Sequence, residues 1–274
     1  HDRITVSFRM RTRSLLFPRE HGAWAMWLVP FCMGVAIGGR ITLAVVSLLF
    51  VCAGLFCMRS ALGTLVKRWA RETERRELLR GAGLYAVATA MCAIPLLKHG
   101  ELRLLAPLVA LFLLADLLFV ARRWDRSLPY ELAGIVGLAS AGPAALYMTQ
   151  RQLSESMAWL WLFCLLYMLG TVLHVRLLKT AILRRNTPFS MRNRSALGIP
   201  SLTYFCGLIL LLQLGEAAGW VPAPVWIIYL PSLLKVLYTL SQIGRKPVKL
   251  PRVGISEIFH AALFGVLGVW AMRA

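Results

Sequence analysis

Nine apolar segments run through this chain, and its lysines and arginines fall almost entirely in every second gap between them. Of 31 basic residues, 24 lie in five alternate stretches: the N-terminal arm, Lys67 to Arg80, Arg122 to Arg126, Arg176 to Arg194, and Arg245 to Arg252. The remaining gaps and the C-terminal tail hold Arg40, Lys98, Arg103, Arg151 and Arg273, while Arg59 and Lys235 lie inside apolar segments. Short basic loops are retained on the cytoplasmic side of a membrane. The pattern therefore predicts an all-α polytopic membrane protein of about nine transmembrane helices, N-terminus cytoplasmic and C-terminus outside.

The expected spans are Gly22 to Gly39, Ile41 to Val66, Leu78 to Leu97, Leu102 to Ala121, Leu132 to Met148, Met157 to Leu178, Ser195 to Leu214, Trp220 to Leu240, and Val253 to Met272. Most approach the ~20 residues needed to cross ~30 Å of hydrocarbon. The first and fifth are shorter and rich in Gly and Ala, the composition of helices packed against protein rather than lipid. Residues 1–16 read as a basic cytoplasmic arm and residues 17–274 as one helical transmembrane domain; because Met10 opens a plausible start, residues 1–9 are expected to be upstream sequence. No cleavable signal peptide is expected before the first span, whose apolar run lacks a small-residue cleavage pattern.

A hydrophobic fraction of 58% and nine Trp agree with this class. The formal charge of +19 does not point to nucleic acid, because the cations sit in short loops where topology and anionic lipid headgroups account for them. Six Cys lie singly in apolar runs and read as small core residues rather than disulfides or a metal site.

Ionisable groups inside a span cost a few kcal/mol each and usually face a bundle interior or a wet cavity. Arg59, Asp116, His174, Lys235, Glu257 and His260 lie four to seven residues from the basic-loop ends of their spans, a depth of about 6 to about 10 Å at the helical rise. Glu20, His21 and Glu131 sit at helix entrances on the same side, and the opposite halves carry no comparable group. The expectation is a polar cavity open to the cytoplasm beneath an apolar outer half. The bland alternative is that cations snorkel and acids cap helices, since Glu20, Glu131 and Glu257 each follow a proline near a helix start; it serves Asp116 and Lys235 poorly. His21, His174 and His260 also raise axial ligation of a haem, without any haem-specific spacing.

The segment Phe17-Pro18-Arg19-Glu20-His21-Gly22-Ala23-Trp24-Ala25-Met26 followed by Pro30, the stretch Leu169-Gly170-Thr171-Val172 with His174 to Arg176, and Pro251-Arg252-Val253-Gly254-Ile255-Ser256-Glu257 resemble the YwiC-like bacterial membrane proteins. That resemblance implies the inner membrane of a bacterium and no assigned reaction. A weaker resemblance, carried by Arg122-Arg123 with Gly134, Gly137 and Pro143 and by Arg76-Glu77-Leu78-Leu79-Arg80-Gly81, is to UbiA-type intramembrane prenyltransferases. It implies a cytoplasmic cavity for a prenyl diphosphate held through magnesium, but neither long loop carries the Asp pairs that such a metal requires.

Three functions stay open. In the first, the cavity accepts an isoprenoid or another anionic amphiphile: Arg59, Lys67, Arg68, Arg122, Arg123, Arg176 and Lys235, with His174 and His260, bind the head, while Glu20, His21, Asp116, Glu131 and Glu257 position an acceptor or move protons. The second is a permease for a small charged solute. The third is an assembly or haem-handling partner of a respiratory complex. Membrane lipid is the partner common to all three.

Overall fold

The computed structural model describes residues 21–67, 72–98, 100–124, 127–183, 191–221, 224–244 and 250–273. These form ten α-helices: α1 (His21–Gly38), α2 (Leu43–Lys67), α3 (Glu72–Ala93), α4 (Gly100–Ala121), α5 (Leu128–Ala139), α6 (Ala141–Gln150), α7 (Glu155–Leu183), α8 (Met191–Ala217), α9 (Leu230–Gln242) and α10 (Leu250–Arg273). Short 3-10 turns at Ile94–Lys98 and Val225–Tyr229 extend α3 and lead into α9. No strand occurs among the described residues.

Seven of these helical segments, counting α5 with α6 as one, are long and apolar enough to cross a membrane; α1 and the described part of α4 are shorter apolar helices. The nine expected spans are therefore all helical. Two differ in detail. The fifth is broken at Ser140, where the chain restarts with Pro143 in the next turn, and the eighth begins as the 3-10 turn at Val225 rather than at Trp220. Pro30 sits within an unbroken α1, and Pro231 falls in the first turn of α9, where its missing N–H costs nothing.

Small residues set the packing of α1, which lies between α6 and α10. A side chain at Gly34 would collide with the carbonyl of Gly142, and one at Gly38 with Thr149, so α1 and α6 approach almost backbone to backbone. The first and fifth spans are thus the protein-packed ones that their Gly and Ala content predicts. Trp24 and Trp27 of α1 meet Phe56 of α2, with Trp24 edge-on at 5.1 Å. At the far end Arg273 of α10 donates to the carbonyl of Ala36, one of the last acceptors of α1. That contact joins two C-terminal ends, so α1 and α10 run parallel, as a first and a ninth crossing must.

The centre of the core is aromatic. Tyr167 of α7 stacks on Phe264 of α10 at 4.1 Å, and the buried Tyr229 hydroxyl donates to the Phe163 carbonyl. Gly170 leaves room for the Phe205 ring of α8, which any side chain there would displace. Two groups are left on the basic-loop side of this core: a belt of ion pairs and a cleft.

Candidate functional site

Arg59, Asp116, Glu131, His174, Arg176, Lys235, Glu257 and His260 occupy the basic-loop halves of their helices, and the structure sorts most of them into pairs. On α2, Arg59 reaches Asp116 of α4 at 2.7 Å and the Tyr130 hydroxyl of α5 at 2.8 Å, with its guanidinium over the Tyr130 ring. Asp116 lies near the C-terminal end of α4, where the helix dipole disfavours an anion; the Arg59 pair offsets that. The next residue of α5, Glu131, faces the other way and takes Arg176 of α7, whose Nε and Nη2 lie 2.9 and 2.8 Å from Oε2.

Local chemistry places Tyr130 and Glu131. Ser127 caps α5 by accepting from the Tyr130 N–H, and Pro129 preorganises the first turn. Glu131 stands in that turn, so it is both a favourable first-turn acid and a bridge to α7. Two residues before Arg176, His174 points to the opposite side of α7. It thereby leaves this belt and faces a third cluster.

That cluster is the most buried. Lys235 of α9 donates to Glu257 Oε2 of α10 at 2.9 Å, and His174 Nε2 lies 3.7 Å from Glu257 Oε1, too far for a hydrogen bond. His174, Lys235 and Glu257 are only 2%, 6% and 9% exposed. Glu257 Oε1 and His174 Nδ1 are buried without a hydrogen-bond partner. Groups of this kind cost roughly 1–3 kcal/mol each when left so. Glu257 lies two turns into α10 rather than at its start, so helix capping does not explain it.

These side chains floor a cavity of about 540 Å³. It opens because α9 leans on α8 while α10 leans on α1, leaving little contact between α9 and α10 themselves. Apolar walls come from Leu178, Pro231, Leu234 and Val253, with Tyr238, Thr239, Ser256 and His260 along the rim. The outward faces of Leu234 and Tyr238 are exposed, in the lipid-facing band of a spanning helix. His260 Nδ1 lies 2.7 Å from the Ser256 carbonyl, which only accepts; the proton of a neutral ring thus sits on Nδ1, and Nε2 is left as an acceptor.

The remaining expected site residues lie elsewhere. Glu20 and Arg68 are outside the described residues, as are the side chains of His21 and Lys67, whose backbones begin α1 and end α2. Arg122 and Arg123 are exposed at the end of α4, away from the cavity lining. Arg123 takes a left-handed conformation (φ 59°), and Trp124 and Arg123 donate back to Phe119 and Val120, a helix-ending motif usually built on glycine. Sequence reasoning missed Tyr130, Tyr238 and Ser256, because hydroxyls carry little insertion cost and leave no mark on a hydropathy reading. Among the described residues a magnesium site for a diphosphate does not fit: Asp116, Glu131 and Glu257 each engage a cation, and no group of three His, Cys, Asp or Glu is placed to hold a metal.

Comparison with known proteins gives relatives of the same kind. Residues 17–146 match the model for "YwiC-like protein", a region that includes the Phe17 to Pro30 motif and ends before the cavity residues. Over most of its length the chain is similar to an uncharacterized protein of Haemophilus influenzae, 27% identical across 92% of this chain and 97% of that one. It is likewise similar to the uncharacterized protein YwiC of Bacillus subtilis, 26% identical across 91% and 95% respectively. No solved structure matches. This multi-pass helical membrane protein is thus similar to the YwiC-like family through its N-terminal motif region and to YwiC itself almost end to end.

Proposed function

We propose that the protein binds an amphiphile, such as an isoprenoid lipid, with its tail along α9 and α10 and its polar head on the Lys235–Glu257–His174 floor. The observation that carries this is the cleft itself: apolar walls over a polar floor of the Lys235–Glu257 pair and His174. A lipid-facing flank at Leu234 and Tyr238 supports lateral access from the bilayer. The bias of basic residues supports a bacterial inner-membrane location with this floor toward the cytoplasm.

The pairing of Arg59 and Arg176 with Asp116 and Glu131 supports a division of labour, in which the ion-pair belt ties α2, α4, α5 and α7 together and the α9–α10 cleft takes the ligand. Native mass spectrometry of the gently purified protein tests the reading. A stoichiometric lipid is expected, and it should be lost when Leu234→Trp fills the cleft. A protein that carries no lipid and takes up none from a bacterial lipid extract would sink it, and solute counterflow in proteoliposomes would then take precedence.

A further inference from the structure

The cavity floor offers hydrogen bonds of both kinds. Lys235 has three N–H donors, and the described contacts use one, to Glu257. The Glu257 carboxylate accepts, its Oε1 and His174 Nδ1 being buried without partners beneath the lining, and His260 Nε2 is a further acceptor on the rim. Among the described lining residues Lys235 is the only Lys or Arg, and its charge is already balanced by Glu257 at 2.9 Å. Counting the imidazoles neutral, the floor carries no net charge.

Electrostatics then discriminates among heads. A diphosphate would bring two or more negative charges against one ammonium that already has a counterion, and would set them beside the Glu257 carboxylate. Burying uncompensated charge costs several kcal/mol, which the donors among the described lining residues do not return. A hydroxyl instead donates to the Glu257 carboxylate and accepts from Lys235, so it satisfies both partners at no change in net charge. Resting on the amphiphile reading above, we propose that the ligand of this cleft is an uncharged, hydroxyl-bearing amphiphile, a long-chain alcohol or a quinol-type head, rather than a prenyl diphosphate.

Farnesol and farnesyl diphosphate share one tail and differ only in the head, so they isolate this question. Binding of each to the full-length protein in nanodiscs would be followed by native mass spectrometry and by tryptophan fluorescence. Farnesol is expected to bind at least about tenfold more tightly than the diphosphate, and Glu257→Gln to weaken farnesol about tenfold, the scale of one charge-assisted hydrogen bond. Because a lone Lys235 could unfold that variant, the paired replacement Lys235→Met with Glu257→Gln is measured beside it and should lose the same preference. Tighter binding of farnesyl diphosphate would overturn the neutral-head assignment while keeping an amphiphile site. Farnesol binding that survives both Leu234→Trp and the paired replacement would also overturn it, as tail partitioning into lipid. If neither compound binds and the Leu234→Trp variant also loses no copurified lipid, the amphiphile reading itself fails.

Discussion

Buried charge at Lys235 and Glu257 dominates the energetics at the residue scale. Removing one partner of a buried pair leaves the other uncompensated, at about 3–5 kcal/mol. Lys235→Met alone is therefore expected to lower the thermal midpoint in detergent sharply, whereas Lys235→Met with Glu257→Gln recovers most of the loss. Arg59 and Asp116 are more exposed, at 34% and 14% of their side chains, so Asp116→Asn should cost only about 1 kcal/mol by the same measurement. His174 differs again. Neither of its ring nitrogens makes a hydrogen bond, so His174→Leu is expected to leave the midpoint unchanged or raised while weakening whatever occupies the cleft. A fall of several degrees for His174→Leu would contradict that.

At this scale the sequence exposed the costly residues but not their partners. Lys235 and Glu257 stand out because each interrupts an apolar run, and hydropathy measures that directly. Their union depends on the rotation of α9 and α10 about their own axes, which hydropathy does not specify. Pro251 made Glu257 resemble a capping acid, and only the start of α10 at Leu250 puts it too deep for that role. Tyr130 and Ser256 were invisible for the opposite reason, since a hydroxyl in a helix is cheap wherever it points.

Among the elements, α1 is bound most tightly by what its glycines permit. Gly34→Val should disrupt the α1–α6 contact at Gly142 and lower the thermal midpoint strongly, while the same change at Gly137, which has open space around it, should be near neutral. Comparable losses at both positions would mean that helix propensity, not packing, sets the response. The end of α4 offers the reverse test. Arg123 occupies a left-handed position that suits glycine, so Arg123→Gly is expected to stabilise by about 1 kcal/mol, seen as a higher midpoint. Helix existence was legible from hydropathy throughout. The break at Ser140 was not, because Pro143 by itself marks a restart without saying whether the preceding turn bends or simply continues, as it does through Pro30.

For the whole molecule, alternation of basic loops and the parallel course of α1 and α10 make one joint prediction. Reporter domains inserted near Arg40 or Arg151, or fused after Arg273, should be active only on the outer side, and those near Arg71, Asn186 or Lys246 only in the cytoplasm. A cytoplasmic reporter after Arg273 would require an even number of crossings and would contradict the parallel contact.

The hold of Arg273 on Ala36 bridges 237 positions of sequence. During synthesis the first helix must therefore wait in the bilayer, its Val29 and Met33 flank uncovered, until α10 leaves the translocon. Assembly of this protein closes like a ring whose clasp is made last, so a message cut short before α10 would yield not a smaller bundle but an open one, ready for a quality-control protease.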